Sequence, residues 1–297
     1  MDALIKNLKH TRNIEFPVGR NKNITNVKLN HNTVEAYPKP FIFYLVMKLL
    51  ELVESLFLMF LGFDHFVSNG NGLNYWAHHP VRCDDSAVPL VFIHGIGVGL
   101  FQYQLFIYNL WKTQNRPIFL VELPYVSMRL SARVPTVEET VTEIEGMLEA
   151  HGFSSAHIVG HSWGTAVAAW MIKLSKFTVS SVLLDPIVFF AILPDLAFNF
   201  VHRNPGHNTK HARANEYIRH FSWHHNLLWP DELPVNHHIF AARDDMLFDG
   251  RAMEKYLESN EVNHTMFDLD HGTFLFMPSK QAQIMARIAK VCSDAEN

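Results

Sequence analysis

The sequence predicts an α/β fold in which a parallel sheet is covered by helices on both faces. Two observations carry this reading. From residue 88 onward short apolar runs alternate with amphipathic segments, and no repeat of fixed period breaks that alternation. A third is size: 297 residues exceed the usual domain, yet α/β folds reach this length without splitting, so one enlarged domain is expected.

The elements follow in order. PLVFIHG (89–95) is a buried strand ending in a glycine loop, FQYQLFIYNLW (101–111) the next helix, and PIFLVELP (117–124) the next strand. Thr136 and Glu139 form a capping box ahead of Val137, Val141, Ile144 and Leu148, which recur at helical spacing and predict a helix to about Ala150. Further strands are expected at 155–161, 179–184, 236–242 and 264–269, and an amphipathic helix at 278–292. Between Asp185 and Pro234 lies an insert rich in Phe189, Phe190, Phe198, Phe200, Phe221, Trp223 and Trp229, too long and apolar for a plain loop. A helical cap over about 187–234 explains both features, packed internally, lining a substrate site, or both.

Ahead of this domain (67–297), residues 1–40 read as a flexible leader without sustained periodicity and 41–66 as an apolar helix. The stretch 41–63 has the length of a membrane span. Lys48, Glu51 and Glu54 near its middle disfavour one, because each charge costs roughly 2.5–3.5 kcal/mol at a bilayer centre. On a helix Tyr44, Lys48, Glu51, Glu54 and Ser55 gather into an arc of about 120°, leaving a wide apolar face that lies on a membrane surface or packs on the protein's own core.

With 48% hydrophobic and 18% charged residues and a net charge of -4, the chain carries no basic run, so nucleic acid is not an expected partner. Cys83 and Cys292 fit neither a disulfide framework nor a metal cluster and read as free thiols of a reducing compartment. No apolar signal-peptide core is present, so the expected location is intracellular, with a membrane surface as a candidate partner through residues 41–63.

Gly160-His161-Ser162-Trp163-Gly164 matches G-x-S-x-G, follows the apolar strand IVG and opens the helix TAVAAWMIKL. That context makes Ser162 the candidate nucleophile, lifted clear of the sheet on a sharp turn that needs glycine on either side. A serine hydroxyl is too weakly acidic to attack an ester unaided, and His271 in DHGTF, on the loop after the last strand, is the candidate base. Asp245 is the first candidate for the acid that orients it, with Asp244 and Asp185 as alternatives, each just past a strand end. Backbone amides of Ile96, in His94-Gly95-Ile96-Gly97, and of Trp163 are the candidate oxyanion donors. His207 and His211 have the spacing of a metal pair but lack a third ligand nearby, so neither metal nor cofactor is expected.

Together HGIG (94–97), GHSWG (160–164), RDD (243–245) and DHGTF (270–274) resemble the α/β-hydrolase superfamily, particularly serine esterase- and lipase-like members, over about residues 88–292. The resemblance implies a mostly parallel eight-stranded sheet flanked by helices with a helical cap, and an acyl-enzyme on Ser162 released by water that His271 activates. From the candidate triad and the aromatic insert together, hydrolysis of apolar or lipid-like carboxylic esters is the leading expectation. Acyl transfer through the same intermediate, and a non-catalytic ligand-binding protein of the same fold, are the alternatives. The leader and the helix at 41–63 lie outside the superfamily pattern.

Overall fold

The computed structural model describes residues 40–67, 73–81, 87–129, 131, 134–191 and 228–296, together with Gly19. The rest of the expected leader, Cys83, and the cap insert from 192 to 227 with Phe198, Phe200, His207, His211, Phe221 and Trp223 lie outside the described residues.

Among the described residues eight strands form one sheet: β1 (Asp64–Phe66), β2 (Asn74–His78), β3 (Leu90–Ile93), β4 (Ile118–Glu122), β5 (Ala156–His161), β6 (Thr178–Leu184), β7 (Asn236–Ala242) and β8 (His264–Phe267). Their spatial order is β1-β2-β4-β3-β5-β6-β7-β8. β2 runs antiparallel to β1 and β4, and every other neighbouring pair is parallel. The mostly parallel eight-stranded sheet is thus as expected.

Strands buried on both faces must be apolar at consecutive positions. In β3, Val91 and Ile93 point into one core while Leu90 and Phe92 point into the other. The first core is closed by helices α3 (Val137–Ala150), α4 (Gly164–Leu174) and α5 (Gly250–Ser259). The second is closed by α1 (Phe41–Phe60), α2 (Gln104–Thr113) and α6 (Pro278–Glu296). The capping box of α3 forms as the sequence indicates, with Thr136 accepting from the Glu139 amide and Glu139 accepting from the Thr136 amide. Helix α5 was not anticipated, because Arg251, Glu254, Lys255 and Glu258 dilute its apolar positions. Asp249 nonetheless caps it through the Arg251 and Ala252 amides, and Met253 and Leu257 are its buried anchors.

α1 ends at Phe60, short of the expected 66. Gly62 takes a left-handed turn (φ 81°), and β1 begins at Asp64. Of its polar arc, Glu54 is buried and Glu51 half-buried against the protein, while Lys48 stays exposed. Glu54 is buried beside Leu58 and accepts a hydrogen bond from Arg129 at 3.0 Å; the same guanidinium lies 3.5 Å from Glu122 and 3.8 Å from Glu51. The apolar side faces outward, with Leu49, Leu52, Val53, Leu56 and Met59 all more than half exposed or at that limit (50–56%). Leu58, fully buried, and Phe57 are the helix side chains that pack on the second core. Among the described residues no helix is long and apolar enough to cross a membrane.

Candidate active site

β5 delivers its last residue, His161, to a turn in which Ser162 adopts a left-handed conformation (φ 51°) before α4 starts at Gly164. A non-glycine residue there is strained by roughly 1–3 kcal/mol and persists only where its surroundings hold it. They do. The Ser162 amide donates to Leu184 O at 2.9 Å, and Thr165 returns both its amide and its hydroxyl to Ser162 O at 2.9 and 2.6 Å. The glycines on either side are needed for space. A Cβ on Gly160 would lie 2.6 Å from the carbonyl oxygen of Gly164, and one on Gly164 would collide with the carbonyl of Ile93.

His271 brings Nε2 to 2.8 Å from Ser162 Oγ and Nδ1 to 2.6 Å from Asp245 Oδ2. The second Asp245 oxygen accepts from the Leu247 amide at 2.8 Å, so the carboxylate is held at both ends and is fully buried. Of the three acids that the sequence offers, Asp245 alone meets His271. Asp244 is exposed, with its amide on Leu269 O at 3.2 Å. Asp185 is buried, and its Oδ2 accepts from the Gly272 amide at 2.6 Å. Burial disfavours the imidazolium of His271. The negative charge and hydrogen bond of Asp245, with a smaller contribution from Asp185, outweigh that and raise its pKa to about 9.

The loop after β3 is locked from below. His94 is buried, accepts from the Leu123 amide on Nε2 at 3.0 Å, and so donates from Nδ1 to Gly95 O at 2.7 Å. Burial lowers its pKa to about 4, which keeps the imidazole neutral for both bonds. Around Ile96 the loop amides are committed: Gly95 to the Tyr103 hydroxyl, Gly97 to Val126 O, and Val98 to Gln102 Oε1. The loop presses on the serine so closely that a Cβ on Gly95 would stand 2.8 Å from Ser162 Cβ. Trp163 is buried, with its ring edge-on to Trp170 at 6.3 Å. The bulk beside the serine therefore belongs to the core.

Of the aromatic insert, Phe189, Phe190 and Trp229 fall on described residues and pack on the first core, Phe190 against Phe248 and Tyr256. Three groups escaped the sequence reading: His94, which braces the loop, and Tyr103 and His161, buried beneath it. Their signal is a histidine at the end of each of β3 and β5 and a tyrosine just ahead of α2, all among apolar residues, which sequence alone does not separate from packing.

A serine hydroxyl, an imidazole and a carboxylate joined in this order can move a proton off the serine and hold the resulting charge. Comparison with known proteins bears on the fold. Residues 90–262 match the model of the alpha/beta hydrolase family. Carboxylesterase CesB of Bacillus subtilis superposes with a TM-score of 0.55 at 11% identity, covering 82% of this chain and 98% of that one. Naproxen esterase of the same organism gives 0.57 at 13% identity, with 85% and 99% covered. A structure described as a membrane phospholipase A, a bacterial virulence factor, gives 0.52 at 15% identity, with 84% and 94% covered. No curated protein matches in sequence.

Proposed function

Because this chain belongs to the alpha/beta hydrolase family, we propose that it hydrolyses carboxylic esters of apolar or lipid-like substrates through an acyl-enzyme on Ser162. The observation that carries the reading is the continuous chain from Ser162 Oγ through His271 to the buried Asp245, at 2.8 and 2.6 Å.

In this mechanism His271 Nε2 takes the hydroxyl proton as Ser162 Oγ attacks the ester carbonyl, and Asp245 holds the imidazole in the tautomer that leaves Nε2 free to accept. The tetrahedral oxyanion is met by the backbone amides of Ile96 and Trp163. Collapse expels the alcohol, protonated by His271, and leaves the acyl-serine. Water, deprotonated by the same imidazole, then attacks the acyl carbon; Ser162 Oγ recovers the proton and the acid leaves. The tied-down amides of Gly95, Gly97 and Val98 support Ile96 as the donor from its loop, since their bonds fix the direction of its peptide.

The lipid-like substrate class and the working place at a membrane surface rest on α1. Its outward face carries large apolar side chains from Phe41 (81% exposed) to Phe60 (87%), while Glu51 and Glu54 are turned to Arg129. That suits a helix lying in the headgroup boundary, with its two carboxylates turned to Arg129 and the exposed Lys48 at headgroup level. The test is a panel of esters of graded acyl length, assayed with the wild-type protein and Ser162→Ala, with and without anionic lipid vesicles. Hydrolysis of apolar esters that Ser162→Ala abolishes and vesicles enhance is expected. Acyl transfer to an added alcohol or thiol in preference to water would favour the transferase, and ester binding without turnover would favour the binding protein.

A further inference from the structure

Beneath the serine a second chain of polar side chains runs through the core, and the mechanism above does not use it. The Gly95 amide donates to the Tyr103 hydroxyl at 2.8 Å, and that hydroxyl lies 2.6 Å from His161 Nδ1. His161 Nε2 in turn faces Asp185 Oδ2 at 3.7 Å, and the same oxygen accepts from the Gly272 amide at 2.6 Å. All three side chains are buried, with Tyr103, His161 and Asp185 at 0%, 4% and 3% exposure. We infer that Tyr103, His161 and Asp185 form a positioning relay that fixes the oxyanion loop and the His271 loop relative to each other. The inference rests on the reading of Ser162 and His271 given above.

The direction of the protons follows from the partners. Burial opposes ionisation of Asp185, but the His161 side chain, the charge on His271 and the Gly272 amide hold its carboxyl below the usual range. A carboxylate only accepts, so the His161 nitrogen facing it carries the proton, and Nδ1 is left to accept from Tyr103. Burial likewise lowers the pKa of His161, which keeps it neutral, and pushes that of Tyr103 well up, which keeps its proton.

Each end of the relay touches the site through the backbone. Gly95 is in contact range of Ser162 Cβ and precedes Ile96. Gly272 follows His271, turns left-handed (φ 72°), and lies so close over the His161 ring that a Cβ there would be 3.5 Å from it. The rings of His161 and His271 are 5.6 Å apart. The long link of the chain is His161 to Asp185: His161 Nε2 makes no hydrogen bond, and at 3.7 Å it is tied to the carboxylate by electrostatic attraction, which burial strengthens. None of the three reaches the substrate. They set the distance between the groups that do.

The experiment is a double-mutant cycle of Tyr103→Phe and Asp185→Asn in the full-length protein. It is read as kcat, KM, the pH profile of kcat/KM and melting temperature on an ester that the wild type turns over. Each single variant is expected to lower kcat on the order of tenfold with KM within about twofold. The double variant should be no worse than either single one, because both break the same chain. The ionisable groups facing His271 are Asp245, Asp185 and His161; Asp185→Asn should move the acid limb of kcat/KM to lower pH, and Tyr103→Phe should leave it in place. A folded Tyr103→Phe protein with wild-type kcat overturns the relay, as does a double variant whose losses multiply. Tyr103→Phe keeps the ring and its packing, so the result stands even if Asp185→Asn does not fold. Retained activity in Ser162→Ala would instead sink the triad reading, which keeps the two failures distinct.

Discussion

Asp244 and Asp245 are neighbours in one turn after β7, yet only Asp245 points its carboxylate at His271 while the other is exposed. Three aspartates at strand ends were visible in the sequence, but which of them meets the imidazole depends on how the turn pivots. Here the Arg243 amide on Phe267 O and the Leu247 amide on Asp245 Oδ1 set that pivot. In the proposed mechanism Asp245→Asn lowers kcat by about 10⁴-fold with a small change in melting temperature, as expected when the orienting acid is lost and the tautomer with it. Asp244→Asn stays close to wild type. Steady-state kinetics of both variants check this, and a crippled Asp244→Asn would overturn the assignment. The pH profile belongs to the same scale. His271 must be neutral to accept the serine proton, and its pKa lies above the ordinary 6.5, raised to about 9. Activity is therefore expected to rise with pH through that interval, and an acid limb below 6.5 would contradict the electrostatics described.

At the scale of the element, α1 is the part whose sequence and structure diverge most. Its apolar length and polar arc were both legible. Their orientation was not, because a helix carries no mark of which side its protein will cover, and the partner that draws its carboxylates inward, Arg129, lies 75 residues from Glu54. Leu52→Asp with Leu56→Asp, two outward positions 54% and 56% exposed, is expected to weaken binding to anionic vesicles in a flotation assay without lowering the melting temperature. Unchanged binding would exclude this face as the lipid contact. Glu54 gives a second test. Burial raises its pKa from 4.5 to about 7 against the opposing pull of Arg129. The folded state thus holds the proton more tightly than the unfolded chain, and the stability from this group is present below 4.5 and lost as pH rises through about 7. Glu54→Gln, which mimics the neutral acid, is expected to melt about 3 °C higher than wild type at pH 8 and nearly level with it at pH 5. A lower melting temperature at pH 8 would mean that the ion pair with Arg129 stabilises more than its burial costs.

For the whole molecule, the sheet explains how residues scattered from 94 to 271 come to one edge. Parallel strands β3, β5, β7 and β8 all end on the same side, so the loops that follow them carry His94 to Gly97, Ser162, Asp245 and His271 to one place. Alternation of apolar runs was enough to read that from the sequence. The edge pair β1 and β2 was harder, since all three residues of β1 are exposed and carry no apolar alternation. In the proposed mechanism this convergence is what makes Ser162 nucleophilic. The direct measurement is reaction of the wild-type protein with a fluorophosphonate probe, followed by mass spectrometry of its peptides. One adduct, on Ser162, abolished by Ser162→Ala and strongly slowed by Asp245→Asn, is the predicted result. Labelling that survives Ser162→Ala at equal rate, or maps to another serine, would contradict it.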